Sequence, residues 1–121
     1  MAIKYQFEID QEILFVTASG YDENLKEVTE YGKAVIEESI KQKCKYILAD
    51  ERQLEYRIGT VDIIDLVEFY SEYSPNVRKA ALLFNPANIE DAKFWETVAI
   101  NRGLTVRVFK EKKEALSWFK K

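Results

Sequence analysis

The residues of this chain that could do chemistry are concentrated in one polar stretch in the middle of the sequence. Asp50 and Arg52 directly follow a short apolar run, and Arg57 lies close behind them. Because open α/β sheets place ligands at the carboxyl ends of their parallel strands, these charges predict a ligand loop containing Asp50, Arg52 and Arg57. If the protein were an enzyme, this loop would supply an acid and a cation as its catalytic groups. An exposed, solvated loop explains the same charges without any ligand.

Thr60 is a second candidate, because it follows Gly59 at the start of a predicted helix. A threonine hydroxyl at this position can satisfy free backbone N–H groups as an N-cap. It could also accept a phosphate, which a helix N-terminus and Arg57 would favour, whereas Asp62 and Asp65 would repel it. We therefore predict a capping residue first and a phosphoacceptor second.

Several kinds of site are excluded by residue type. The chain has no histidine, which excludes Ser-His-Asp and Cys-His arrangements and zinc sites that need imidazole. Cys44 is the single cysteine, so an intramolecular disulfide or a Cys-x-x-Cys pair cannot form. Asp50 and Glu51 supply fewer oxygens than a divalent cation requires. We expect neither catalysis nor a metal or other cofactor.

Length and composition favour one compact domain over residues 1–121. Of the residues, 47% are hydrophobic and 32% charged, with two prolines and four glycines. The 18 basic and 21 acidic residues give a net charge of −3, the wrong sign for a nucleic-acid partner. The first ten residues, MAIKYQFEID, alternate polar and apolar types, unlike a signal peptide or a membrane span. We expect a cytoplasmic protein.

Hydrophobic periodicity predicts the element order ββαβαβαβα. The predicted strands cover residues 3–9, 13–19, 45–49, 78–84 and 104–109, and helices begin at Asn24, Thr60, Asn88 and Glu111. A tight turn at Asp10 and Gln11 joins the first two strands, Gly20 ends the second strand, and residues 50–59 form a polar connection. Since each later strand follows a helix, right-handed crossovers predict a mixed five-stranded sheet with an N-terminal β-hairpin.

The second and third predicted helices carry more apolar surface than one contact with a sheet requires. Val61, Ile64 and Phe69 fall among acidic residues on the face opposite the predicted buried arc. Ile89 and Ile100 are similarly out of line on the third helix. These five residues predict a homodimer interface or an apolar ligand cleft, with packing against neighbouring helices and loops as the alternative.

The last twelve residues, KEKKEALSWFKK, combine five lysines with Trp118 and Phe119. Such a pattern could touch an anionic membrane surface. We favour a docked terminal helix whose lysines complement its dipole.

The stretches FWETVAINRGLTVRVF (residues 94–109) and EALSWF (residues 114–119), together with the element order, resemble the SpoIIAA-like family. This family belongs to the STAS and CRAL-TRIO group of folds, built as a β-α superhelix. The resemblance implies a bacterial or archaeal cytosolic domain without catalytic activity. Its relatives either regulate partner proteins through phosphorylation or bind lipids in an apolar cleft.

The sequence differs from the STAS pattern at the site of the phosphorylation switch. STAS antagonists of anti-sigma factors carry the switch serine in a D-S-S-G stretch at the start of the helix after the third strand. Residues 57–62 of this chain read RIGTVD, and only Thr60 could take that place. The resemblance thus implies a regulatory or protein-binding domain, and the apolar excess on the second and third helices predicts that it forms a homodimer. The alternatives are a carrier of a lipid or other hydrophobic small molecule, and an antagonist-like switch through Thr60.

Overall fold

A computed structural model describes residues 2–57, 59–73 and 77–121, without the side chains of residues 60, 61 and 73. The strands are β1 (Ile3–Asp10), β2 (Ile13–Tyr21), β3 (Tyr46–Glu55), β4 (Lys79–Leu83) and β5 (Val106–Phe109). The helices are α1 (Leu25–Lys41), α2 (Thr60–Tyr73), α3 (Ile89–Asn101) and α4 (Lys112–Phe119), and a 3₁₀ turn spans Pro86–Asn88. The predicted order ββαβαβαβα is confirmed.

The strands form one mixed sheet in the order β1-β2-β3-β4-β5. β1 pairs antiparallel with β2, and the remaining neighbours are parallel. The hairpin turn contains Gln11 and Glu12, one residue later than predicted, and Gln11 has a positive φ of 58°. Because the sheet grows in one direction, crossovers of one hand place all connecting helices on the same face.

Each face of the sheet has its own apolar core. The main core lies under α1, α2 and α3, and it contains Leu14, Val16, Val28, Val35, Leu54, Leu66, Leu82 and Ala92. α4 covers the opposite face with Ala115 and Phe119, which pack on Leu48, Ala81 and Leu83.

α4 is docked as predicted. The Nζ of Lys79, on β4, donates a 2.8 Å hydrogen bond to the carbonyl of Trp118. The ammonium group of Lys79 thereby satisfies a free carbonyl at the C-terminus of α4 and complements the negative end of the helix dipole.

The prediction for β3 was wrong, because the strand continues to Glu55 instead of ending at Ala49. The residues expected to form a polar loop therefore lie in the sheet, and Leu54 is only 1% exposed. β2 also continues past Gly20 to Tyr21. Gly20 has a positive φ of 95°, and a Cβ there would collide with the carbonyl oxygen of Ala2. The glycine thus lets the chain pass closely while the strand continues.

β3 contains a bulge beside the main core. Glu51 and Arg52 lie opposite a single residue of β2, Ala18. A bulge interrupts the alternation of side chains between the two faces of a strand. Ala49 and Leu54, five positions apart, therefore both belong to the main core on the helix-covered face.

Candidate functional site

The three predicted ligand-loop residues do not converge on one point. Arg52 donates two hydrogen bonds to the carboxylate of Asp50, of 2.9 Å from Nε and 2.8 Å from Nη2. These hydrogen bonds hold the pKa of Asp50 below its usual value. Arg57 instead donates to Glu55 at 3.1 Å, and its guanidinium carbon lies 3.8 Å from the centre of the Tyr21 ring. Ligand binding by these residues stays a prediction.

Thr60 and Val61 open α2, but their side chains lie outside the part of the chain that the structure describes. Phosphorylation of Thr60 and an interface role for Val61 therefore stay predictions.

The other predicted interface residues differ in their exposure. Ile64 and Phe69 on α2 are half-buried. Ile89 and Ile100 on α3 are 41% and 53% exposed, in agreement with their out-of-line positions in the sequence. The two helices pack side by side on the same face of the sheet, and an interface there stays a prediction.

The most unusual residue of the described core is Glu51, which was predicted to lie in the polar connection of residues 50–59. It lies on β3 and is about 9% exposed. Its Oε2 accepts a 2.8 Å hydrogen bond from the hydroxyl of Tyr31, on α1. Its Oε1 accepts a 2.6 Å hydrogen bond from the hydroxyl of Tyr56, which directly follows β3. A buried carboxyl group is thus held by two phenolic donors from different elements.

Burial raises the pKa of Glu51 to about 7. The hydrogen bonds from Tyr56 and Tyr31 oppose this shift, whereas the charges of Asp22 and Asp50 add to it. Burial, followed by the charge of Glu51, also raises the pKa of both tyrosines well above the usual value. The tyrosines therefore stay protonated as donors while Glu51 titrates near neutral pH.

Polar contacts fix the chain just after β3, where Tyr56 must be positioned. Asp22 is 2% exposed, and its carboxylate accepts the backbone N–H of Arg57. The backbone N–H of Asp22 donates to the carbonyl of Glu55 at 3.1 Å. Asn88 accepts the backbone N–H of Tyr56 at 3.2 Å. Contacts from both sides of β3 thus hold the Tyr56 hydroxyl against Glu51.

Glu51 lies where two cavities meet between the sheet and α1, α2 and α3. Their volumes are about 110 Å³ and about 80 Å³. The side chains that line both are Tyr31, Glu51, Tyr70, Leu82 and Trp95. Gly32 makes room for this arrangement, because a Cβ there would collide with the Tyr70 hydroxyl. A carboxyl group and aromatic rings from three helices therefore surround one small space.

The signal that could have revealed Glu51 is the alternation within β3. Ile47, Ala49 and Glu51 are two positions apart, and all three line the larger cavity. The predicted strand ends at Ala49, and this boundary placed Glu51 in an exposed connection. The convergence of Tyr31, Tyr70 and Trp95 on this acid depends on tertiary packing, which no local sequence pattern shows.

Three further features of the described residues concern metal ligation, membrane spanning and the thiol of Cys44. They contain no group of three or more acidic, cysteine or histidine side chains placed to hold a metal ion. No helix among them is both long enough and apolar enough to cross a membrane. Cys44 is 5% exposed, and burial raises the pKa of its thiol, which disfavours the reactive thiolate.

Comparison with known proteins assigns the fold. No family model and no curated protein sequence matches the chain. An anti-sigma factor antagonist from Mycobacterium paratuberculosis is similar in structure, with a TM-score of 0.64 and 13% identity over 98% of this chain and 95% of that one. An uncharacterised DUF3478 protein with a SpoIIAA-like fold, from Shewanella loihica PV-4, gives a TM-score of 0.55 and 17% identity over 97% and 93%. The chain has a SpoIIAA-like fold, as the resemblance implied.

Proposed function

We propose that this protein is a non-catalytic regulatory domain of the cytoplasm that acts by binding protein surfaces, as a single domain and as a homodimer. The observation that carries the proposal is the fold shared, over nearly the whole chain, with a protein described as an anti-sigma factor antagonist. The lack of histidine and the pairing of Asp50 with Arg52 also favour binding over catalysis.

The surface proposed for the homodimer is formed by α2 and α3. Ile89 and Ile100 expose large apolar side chains, and the half-buried Ile64 and Phe69 add apolar surface on the neighbouring helix. Covering apolar groups on association stabilises an interface by removing them from water. A salt bridge of 2.7 Å between Arg102 and Glu68 also joins the two helices at their surface.

Ile100→Glu tests this surface. We expect the variant to sediment as a monomer at concentrations where the parent protein is a dimer, because a charge would be buried in the interface. Ile40→Glu is the matched control. Ile40 is 49% exposed near the end of α1, so its substitution should leave the dimer intact. Circular dichroism verifies that both variants are folded.

A parent protein that stays monomeric at all concentrations contradicts the homodimer. If Ile100→Glu and Ile40→Glu both dissociate to the same extent, the choice of α2 and α3 as the interface is contradicted. In that second case the dimer would use a surface that includes α1.

The cavity beside Glu51 favours a second candidate function, the binding of a hydrophobic small molecule. Its volume of about 110 Å³ is below the roughly 300 Å³ at which pockets for drug-sized ligands begin. A small compound therefore suits this space better than a long-chain lipid. Titration with benzyl alcohol, followed through the indole N–H resonance of Trp95, tests this candidate.

A further inference from the structure

We propose that the Glu51 cavity binds a small organic ammonium ion, with the ammonium group against Glu51 and the hydrocarbon part in the larger cavity. The inference rests on the second candidate function and specifies the chemical class of its ligand. Four features support it: the acidic side chains of the cavity walls, their aromatic rings, the remaining acceptor sites of the Glu51 carboxylate, and the size of the cavity.

The cavity walls carry acidic but no basic side chains among the described residues. Glu51 lines both cavities, and Asp22 and Asp91 line the smaller one. The chain has 18 lysines and arginines, yet none contributes to either described wall. In a space of low polarity this arrangement favours a cation over an anion of the same size.

Aromatic rings provide a second means of holding a cation. Tyr31 on α1, Tyr70 on α2 and Trp95 on α3 line both cavities around Glu51. The faces of aromatic rings attract ammonium groups, and several rings around one cation form the usual recognition site for substituted ammonium ions. A carboxylate within such a wall adds a directional partner.

The hydrogen-bonding capacity of Glu51 also fits an ammonium group. Each of its oxygens accepts one tyrosine hydroxyl, from Tyr31 and from Tyr56. A carboxylate can accept about four hydrogen bonds, so acceptor sites remain, and an ammonium group carries only donors. The hydroxyl hydrogens of both tyrosines are already directed to Glu51, so neither is left for an anionic ligand.

Size limits the hydrocarbon part of the ligand. An apolar cavity of about 150 Å³ is sufficient for benzene. The larger cavity measures about 110 Å³ and opens beside a second one of about 80 Å³. One ring or a short branched chain is therefore the appropriate scale, with the ammonium group placed where the two cavities meet.

Binding should depend on the ionisation of Glu51. The titratable groups around it are Tyr31 from α1, Asp22 after β2, Asp50 and Tyr56 from β3 and its end, Tyr70 from α2 and Asp91 from α3. Because the pKa of Glu51 is about 7, the affinity for a protonated amine should rise as the pH increases through neutrality.

Benzylamine is the probe, with benzyl alcohol and benzoate as neutral and anionic isosteres. In titrations of the full chain at about pH 8, we expect benzylamine to bind about tenfold more tightly than benzyl alcohol, and benzoate not to bind. The indole N–H resonance of Trp95 should move. The resonance of Trp118, on the opposite face of the sheet, serves as an internal control and should not move.

Glu51→Gln preserves the size of the side chain and removes its charge. We expect it to weaken benzylamine binding about tenfold and so to abolish the preference for benzylamine over benzyl alcohol. Glu55→Gln is the matched control on the same strand, because the side chain of Glu55 is 56% exposed. If Glu51→Gln does not fold, the preference of the parent protein for the amine and its pH dependence decide the question.

The outcomes separate the two levels of the proposal. Equal affinity for benzylamine and benzyl alcohol, or an unchanged amine affinity in folded Glu51→Gln, overturns the ammonium inference but leaves the small-molecule candidate. Failure of all three probes to bind overturns both.

Discussion

At the scale of single residues, Glu51 is a carboxyl group placed where its charged form has lost most of its hydration. Two tyrosine hydroxyls replace part of that hydration, at 2.6 Å and 2.8 Å. Replacing buried charges with well-packed apolar groups often leaves a protein as stable or more stable. Stability is therefore not a sufficient reason for a glutamate at this position.

The cost of ionising Glu51 can be measured from the pH dependence of folding. Its pKa is raised to about 7 in the folded protein, above the value of about 4.3 expected in the unfolded chain. The folded state is thus favoured below the unfolded pKa, and this contribution is lost as the pH rises through 7. Between about pH 4 and pH 8 the loss amounts to about 3 kcal/mol.

Glu51→Gln removes this titration. We expect the free energy of unfolding of the variant, relative to the parent protein, to increase by about 3 kcal/mol between about pH 4 and pH 8. Urea unfolding at a series of pH values measures this difference, and other titrating groups cancel because both proteins share them. A difference that does not change with pH would mean that Glu51 keeps an ordinary pKa.

At the scale of elements, two asparagines that precede helices have different roles. Asn24 accepts the backbone N–H of Glu27 at 2.9 Å, as an N-cap should. Asn24 and Glu27 have the spacing of a capping box, but only half of it forms, because the Glu27 carboxylate accepts from the backbone N–H of Ile3. Asn88 precedes α3 without capping it, and its side chain accepts the backbone N–H of Tyr56 instead.

Alanine substitutions should separate these roles. Asn24→Ala is expected to destabilise the protein by about 1 kcal/mol and to speed hydrogen exchange in the first turn of α1. Asn88→Ala should speed exchange of the Tyr56 amide and leave the first turn of α3 unchanged. Amide hydrogen exchange followed by NMR measures both. Faster exchange at the start of α3 in Asn88→Ala would show that Asn88 is a cap after all.

Features that depend on neighbouring residues could be predicted from the sequence, whereas features that depend on residues distant in the chain could not. The amphipathic pattern of α1 and the positive φ of Gly103, observed at 86°, follow from neighbouring residues alone. The end of β3 was missed because Asp50, Glu51 and Arg52 are residues typical of loops. Their place in the sheet comes from pairing with β2, and the bulge there depends on a partner strand distant in sequence.

At the scale of the whole molecule, the two faces of the sheet are covered unequally. α1, α2 and α3 together cover the face with the Glu51 cavity, whereas α4 covers the opposite face of the described sheet. The two tryptophans report on different faces, since Trp95 lines the cavity and Trp118 lies on α4. This arrangement allows one face to be perturbed while the other is observed.

Ala115→Glu tests whether the two faces are independent. Ala115 lies on the face of α4 that packs on the sheet and is fully buried, and the described residues around it are apolar, so a glutamate there has no partner for its charge. We expect α4 to leave the sheet, at a cost of about 2 kcal/mol or more in stability, because this avoids burying the charge. The Trp118 indole resonance should move toward its solvent-exposed position while that of Trp95 stays unchanged.

Ser117→Glu, at an exposed position of the same helix, is the control and should move neither resonance. Equal changes at both tryptophans would mean instead that the two cores unfold as one unit, and the Glu51 cavity would then depend on the packing of α4.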